Sequence, residues 1–458
     1  MQGATARIAD FVTSADPGEA VRALALDGVL DTLAVTLAGG AEPGARRLAA
    51  ALEPAERGIA SFWQPRAYRP EDAALLFGMA GHMLDYDDVS MASVCHPTVP
   101  ALSACLALPG RDALPGRALL DAVAIGSEVM IRLGEVMGFR HYDLGFHATA
   151  TLGPFGAAAA CARLRGLDRH QTAQALSIAA SLASGLRRNF GSMVKSLHAG
   201  VAAANGLKAA RLAAAGIVAA TEAIDDRGFL HAYSGGAADR WPDDHRLGQP
   251  YVLEHPGFER KRYPCCYMLH KMIEATLFLA REETLTLADL ARARVDMPLG
   301  GTQPLNHPFP KAGLNALFSG PYAVIASLAD RRIDLKSFTD AAVQRPELQA
   351  RLRDVTLLEG TLPPGDGELG NAPVTVTLEL RDGTSRSRTV HAPPGSLRDP
   401  ITPEQLAVKW VDCLEHAAPG MPVGKARQLF EQGLGLASMP AIGPWLMAVT
   451  DATRGAVR

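Results

Sequence analysis

Four short stretches concentrate the side chains of this sequence that could do chemistry. Gly81-His82-Met83-Leu84-Asp85-Tyr86-Asp87-Asp88 is followed closely by Cys95-His96-Pro97-Thr98, so three carboxylates and two imidazoles fall close together near a helix end. Such groups are costly to bury unless they pair, which points to a cleft or a polar network. A solvated acidic helix terminus is the plainer alternative. His147 stands immediately before Ala148-Thr149-Ala150-Thr151. At a helix start the dipole favours the neutral imidazole, a useful proton acceptor; a hydrogen-bonded structural histidine is the competing reading. In the segment 184–200, Arg188, Asn189, Lys195 and His198 crowd a short connection that leads into a helix. That arrangement could cradle carboxylates, and the scarcity of charge in this Ala-rich region argues against a merely exposed basic loop. The fourth stretch is Lys261-Arg262-Tyr263-Pro264-Cys265-Cys266, with His270 one turn further on. Two adjacent cysteines and a histidine suggest zinc, but no CxxC pair completes a tetrahedral site, so no metal is expected. A Lys-Arg pair facing an anion is the preferred reading.

The elements that must position these residues are mostly helical. Up to about residue 250 the apolar positions follow a helical period. Asp16 and Pro17 are placed to cap and begin a helix that ends at Gly39-Gly40, Pro70 opens one running towards Leu84, and further helices are expected over 119–137, 148–164, 171–186 and 197–215. After about residue 254 short alternating runs appear. Val374, Val376, Leu378 and Leu380, then Asp382-Gly383 and a run through Val390, predict a hairpin. Strands are also expected at 293–297 and 354–358, and helices at 322–328 and 340–352. Thr402, Pro403 and Gln405 supply an N-cap, a first-turn proline and a capping-box partner for a returning helix. The expected architecture is therefore mainly α, a large all-helical domain (1–255 and 396–458) with an inserted smaller α+β lid domain (256–395).

Composition narrows the partners. The 458 residues carry 45 Lys and Arg against 48 Asp and Glu, a net charge of −3, which provides no electrostatic footprint for nucleic acid or an anionic membrane. No basic n-region with an apolar core opens the chain, and the apolar runs are too short to span a bilayer. The six cysteines lie at 95, 105, 161, 265, 266 and 413, spacings that make no disulfide framework. A cytoplasmic protein acting on small molecules is expected.

Read together, LDYDD with a following HPT, GFHATATLG, NFGSMVKSLHAG, KRYPCC and FSGPYAV at 318–324 resemble the MmgE/PrpD family, which includes 2-methylcitrate dehydratase, cis-aconitate decarboxylase and iminodisuccinate epimerase. The resemblance covers almost the whole chain. It implies that Asp85, His96, His147, Lys195, Lys261 and Tyr322 line the active site, and that the enzyme is a cofactor-independent homodimer. Two positions depart from the decarboxylase-like pattern. Val89 stands where a threonine follows the aspartates, and Cys266 where a histidine follows the KxxP segment.

The chemistry common to such a family is proton transfer beside a carboxylate of a small di- or tricarboxylic acid, which requires groups that stabilise developing negative charge. Lys195 and Lys261 suit that task, His147 is the first choice of base, and His96 or Tyr322 would return a proton. Arg188, Asn189, His198, Arg262 and Cys266 are the expected substrate-binding residues. A 2-methylcitrate dehydratase-like lyase is the leading expectation, beside decarboxylation of a cis-aconitate-type acid, epimerisation of a dicarboxylate, and a helical binding protein without turnover.

Overall fold

The computed structural model describes residues 3–361 and 369–455. Among them are eighteen α-helices, a two-stranded ribbon (β1, Ile59–Ala60; β2, Ala67–Tyr68) and one four-stranded sheet. The fold is mainly α, and no helix among the described residues is long and apolar enough to cross a membrane.

The first long helix, Glu19–Gly39, is buried almost continuously from Gly28 to Gly39. Its start differs from the expectation: Gly18 is the N-cap, and Asp16 is drawn instead to the Arg22 guanidinium, which also binds Asp121. Helices follow at Pro70–Gly81, Gly116–Asp143, Ala148–Arg165, Arg169–Leu182 and Met193–Ala214. Asp168 and Gln171 form a reciprocal capping box that begins the Arg169 helix. The Gly116–Asp143 helix is interrupted at Gly138, whose φ of +58 breaks the helical path.

Small residues let these helices approach to near backbone contact. A Cβ on Gly200 would lie 2.1 Å from the Leu75 carbonyl oxygen, and one on Gly78 would lie 2.7 Å from the Gly200 Cα. The Met193–Ala214 and Pro70–Gly81 helices therefore cross where neither has a side chain, and Lys195 is brought to the end of the Pro70 helix. Gly200→Ala must push the helices apart; a loss of about 1–3 kcal/mol is expected from the overpacking, read as a lower denaturant midpoint.

In the sheet, β3 (Leu290–Met297) lies between β4 (Val355–Glu359), parallel to it, and β5 (Val374–Leu380), antiparallel to it; β6 (Ser385–Val390) closes the far edge. The hairpin turn is the Asp-Gly turn expected from the sequence. Gly383 has φ +85, and the Asp382 carboxylate accepts from the Thr384 amide at 2.8 Å. Val374, Val376, Leu378 and Leu380 face inward, while β6 carries Arg386 and Arg388 on one face, against Glu283 and over the Phe278 ring, and Ser387 on the other against Thr377, and these polar side chains blunt the edge. The stretch 340–352 does not form one helix. Pro346 holds Arg345 in an extended conformation and divides it into Asp340–Val343 and Pro346–Gln349. Thr402 and Gln405 form the capping box expected for the helix Pro403–Ala417.

The buried apolar side chains gather into two large clusters. One joins the N-terminal helices to Leu406, Trp410, Leu414 and Trp445; the other joins the sheet to the helices His270–Glu282 and Gly320–Asp330, and takes in Tyr142 and Phe190.

Candidate active site

His82 ends the Pro70–Gly81 helix as its C-cap, and the chain reverses at Asp85 with φ +47, a left-handed conformation that aspartate tolerates better than most residues. Just beyond, Val89 exchanges two main-chain hydrogen bonds with Glu259, at 2.9 and 2.7 Å, which lays the 259–261 segment alongside this turn. Lys261 then donates to both the Asp85 carbonyl oxygen, at 2.8 Å, and its Oδ1, at 2.5 Å. Lys195 arrives from the first turn of its helix, with Nζ 3.1 Å from the same Oδ1 and 2.7 Å from His82 Nε2. Two ammonium groups thus converge on one carboxylate oxygen. Behind them the Asp87 carboxylate lies 2.9 Å from His82 Nδ1 and 3.2 Å from His96 Nδ1.

These groups are almost completely buried, so their charges are set by one another. Burial opposes ionisation of Asp85, but Lys195 and then Lys261 outweigh it and hold the carboxyl far below its usual range. Asp87 is held low in the same way by His82 and His96 against burial. Burial lowers Lys195, Asp85 pulls it back, and Lys261 lowers it further. Burial also lowers Lys261, but Asp85 and Asp87 more than restore it and leave it raised. Burial, with Lys195 and His96 adding to it against Asp87, brings His82 down to about 4. His147 is driven well below its usual value by burial, then by Lys195 and His82. The helix start expected to keep His147 neutral is present, since it is the N-cap of Ala148–Arg165, but burial and the neighbouring cation are the larger causes. At neutral pH the imidazoles are neutral and Asp85 and Asp87 are anionic.

This cluster opens onto a cavity of about 60 Å³. Asp85, His96, His147, Lys195, Lys261 and Cys266 contribute its polar wall, and Val89, Phe190, Met268, Phe318 and Leu369 much of its apolar one. Lys195 Nζ sits 5.3 Å from the ring centres of both Phe190 and Phe318, so aromatic faces shield the ammonium. Cys266 is a neutral thiol, pushed up by burial and Asp85 to about 11. A cavity walled by two ammonium groups and neutral imidazoles can bind a small polyanion and move protons on it.

His82, Asp85, Asp87 and His96 offer donor atoms within 4.8 Å of one another, close enough for a metal ion. Their chemistry fits one poorly. Lys195 lies against His82 Nε2, both ammonium groups lie on Asp85, and a dication would have to displace them.

Several expected residues lie elsewhere. Tyr322 does not line the cavity: Ser319 caps its helix, which turns the ring into the second apolar cluster against Phe338, and its hydroxyl donates to the Ser337 carbonyl. His198 stands behind His147, Nδ1 to Nδ1 at 3.1 Å, and supports that ring instead of lining the cavity. Arg188 is exposed and Asn189 half-buried on the turn Arg187–Asn189, away from the cavity wall. It is Arg187 that reaches inward, stacking 4.2 Å from the ring centre of Tyr142, a cavity residue. Arg262 points into a separate groove with Arg332, Asp412 and Glu415, because its neighbour Lys261 takes the inward direction. The sequence places His82 only in a polar cluster, without a task of its own, and singles out neither Tyr142, Phe190 nor Phe318 as a site residue. His82 had a signal in the carboxylates that follow it; the aromatic residues had none, since each is an apolar residue in an apolar stretch.

His270, one turn beyond Cys266, is fully buried and lowered to about 3 by burial and by Lys261. The unfolded chain binds this proton near pH 6.5 and the folded protein does not, so His270 withdraws stability as pH falls from about 6.5 towards 3. His270→Phe removes that penalty. Its stability relative to the parent should rise on acidification across this window, by up to about 1.4 kcal/mol per pH unit, in paired urea titrations at pH 7 and pH 5.

The MmgE/PrpD N-terminal domain matches residues 6–241 and the MmgE/PrpD C-terminal domain residues 263–430. A cis-aconitate decarboxylase of Homo sapiens is 29% identical over 358 residues, covering 74% of this chain and 72% of that protein. One from Aspergillus terreus is 29% identical over 336 residues, 70% of this chain and 68% of that protein. A cis-aconitate decarboxylase-like protein of Aspergillus oryzae is 27% identical over 437 residues, 89% of each.

Proposed function

The chain is an enzyme of the MmgE/PrpD family, and from that premise we propose that it is a cofactor-independent lyase acting beside a carboxylate of a small di- or tricarboxylic acid, with decarboxylation of a cis-aconitate-type acid as the preferred reaction. The observation that carries this reading is the convergence of Lys195 and Lys261 on Asp85 at a cavity also walled by His96 and His147. Asp87 balances the second ammonium group only from behind, so the cavity wall itself carries two ammonium groups against the one carboxylate of Asp85 and is suited to receive substrate carboxylates. The relatives named for cis-aconitate decarboxylation favour loss of carbon dioxide over loss of water.

In the decarboxylation the bond from carbon to one carboxylate breaks and carbon dioxide leaves. The electron pair spreads through the adjacent double bond towards a remaining carboxylate, where an ammonium group offsets it, and a proton is added to carbon. Lys195, an ammonium group on the cavity wall made more acidic by burial and by Lys261, is suited to supply that proton, and the neutral ring of His147 beside it can pass it on. Its Nδ1 is engaged by His198, so Nε2 is the remaining ring nitrogen, and it carries the proton whenever His198 is the donor of the pair. When His147 donates instead, Nε2 is a base, the form a dehydration would use on the proton beside a carboxylate. Dehydration of a 2-methylcitrate-like acid is therefore the second reading. Tyr322 has no part in either, its hydroxyl being committed to Ser337. The division at residues 256 and 396 and a homodimer belong to the same proposal.

Purified protein incubated with cis-aconitate should release carbon dioxide and an unsaturated dicarboxylate one carbon shorter, seen by proton NMR. Loss of water from 2-methylcitrate without that activity would select the second reading, and solvent deuterium in recovered substrate alone would select epimerisation. No change in any di- or tricarboxylic acid offered would refute the proposal.

A further inference from the structure

Lys409 is buried at the far end of the chain from the site, yet its ammonium group lies directly behind it. Nζ donates to the main-chain carbonyl of Tyr86 at 2.8 Å and to that of Lys261 at 3.0 Å, and pairs with Asp31 Oδ1 at 2.6 Å. It also stands 3.9 Å from the centre of the Tyr86 ring. Tyr86 directly follows Asp85, and Lys261 is the residue whose ammonium group binds Asp85. One cation from the helix Pro403–Ala417 therefore fastens the two backbone segments that the Asp85–Lys261 contact joins. Asp31 is 0% and Lys409 2% exposed.

Anchoring the C-terminal helix is the plainer use of such a pair, but that helix is already held by Leu406, Trp410, Cys413 and Leu414, all buried. A buried ion pair is a weak source of stability, since desolvation offsets most of the attraction. Its directional use is stronger: two carbonyl oxygens from different segments are brought to one point, next to a residue at φ +47.

We propose that Lys409, anchored by Asp31, is a positioning residue of the active site, holding the Tyr86 and Lys261 carbonyls together and so setting the place of Asp85 relative to Lys261. The inference rests on the proposed function only in its effect on turnover. Its structural half is read without substrate.

The test is the double substitution Lys409→Met with Asp31→Leu, which removes both charges together and avoids an unpaired buried ion. Expected are faster amide hydrogen exchange confined to segments 82–91 and 259–266, a fall in kcat on the order of 100-fold with KM little changed, and a displaced pH profile. Lys409→Arg, which keeps the charge and donors, should recover part of the lost kcat. Parental exchange in the folded double variant overturns the inference, and so does faster exchange with parental kcat, which would mean a structural role alone. Should the double variant fail to fold, Asp31→Asn carries the test: Lys409 loses its counter-ion, the same two segments must exchange faster and kcat must fall several-fold, and parental behaviour overturns the inference. If the parent enzyme turns over none of the acids offered, the functional reading fails by itself, and exchange in 82–91 and 259–266 still decides whether Lys409 positions them.

Discussion

Asp85→Ala is expected to destabilise the folded protein by about 3–5 kcal/mol, because it leaves two ammonium groups buried without the carboxylate between them. Lys261 would keep its bond to the main-chain carbonyl at 85 and Lys195 its contact with His82, but neither carries a full countercharge. Stability of the variant relative to the parent should recover as pH rises. With Asp85 gone, both lysines fall below their unfolded values, so the unfolded chain binds more protons and each step up in pH favours the folded state. Guanidinium titrations at pH 7 and pH 9 measure both effects. A variant within about 1 kcal/mol of the parent at both values would show that Asp85 is not the counter-ion the geometry makes it. Asp85→Asn keeps the shape and removes the charge, and should reproduce most of the loss.

Lys195→Met is expected to leave the fold nearly intact and to lower kcat by about 10²–10³-fold, the usual consequence of removing one preorganised donor from developing negative charge. Asp85 keeps Lys261 as its partner, so no buried charge is orphaned. Methionine approximates the length of the lysine stem and can lie between Phe190 and Phe318. The same loss is expected for His147→Ala if that ring handles the proton. The check is steady-state turnover on an identified carboxylic acid, with circular dichroism to confirm folding. Parental kcat in either variant would remove that residue from the proposed chemistry. The two experiments separate the roles of the cluster: Asp85 holds the charges in place, and Lys195 uses one of them.

Much of the secondary structure was legible because each element announces itself locally. The Asp382-Gly383 turn and the Thr402–Gln405 capping box need only their own few residues, and both are present as expected. Local reading failed where a nearby competitor intervened. Asp16 was drawn to Arg22 and left the cap to Gly18, and Pro346 divided a stretch whose apolar period suggested one helix. Among site residues, those that bear charge in apolar surroundings could be singled out, since burial makes such groups conspicuous. Phe190 and Phe318 could not, because an aromatic side chain facing a cavity and one facing a core look alike in sequence.

The amino-acid sequence by itself determined a mainly helical chain and the family, and named a larger group of site residues, of which Asp85, His96, His147, Lys195, Lys261 and Cys266 face one cavity. Those conclusions rest on residue type and order, which local physics and kinship both read. Direction and partnership were decided only in three dimensions. Tyr322 turned to Ser337, His198 to the back of His147, and Arg262 to another groove, while His82 entered from a helix end and Lys409 from the middle of its helix. A side chain's neighbours across the fold depend on how helices pack, and near-contact crossings such as Gly78 over Gly200 are properties of two distant segments at once.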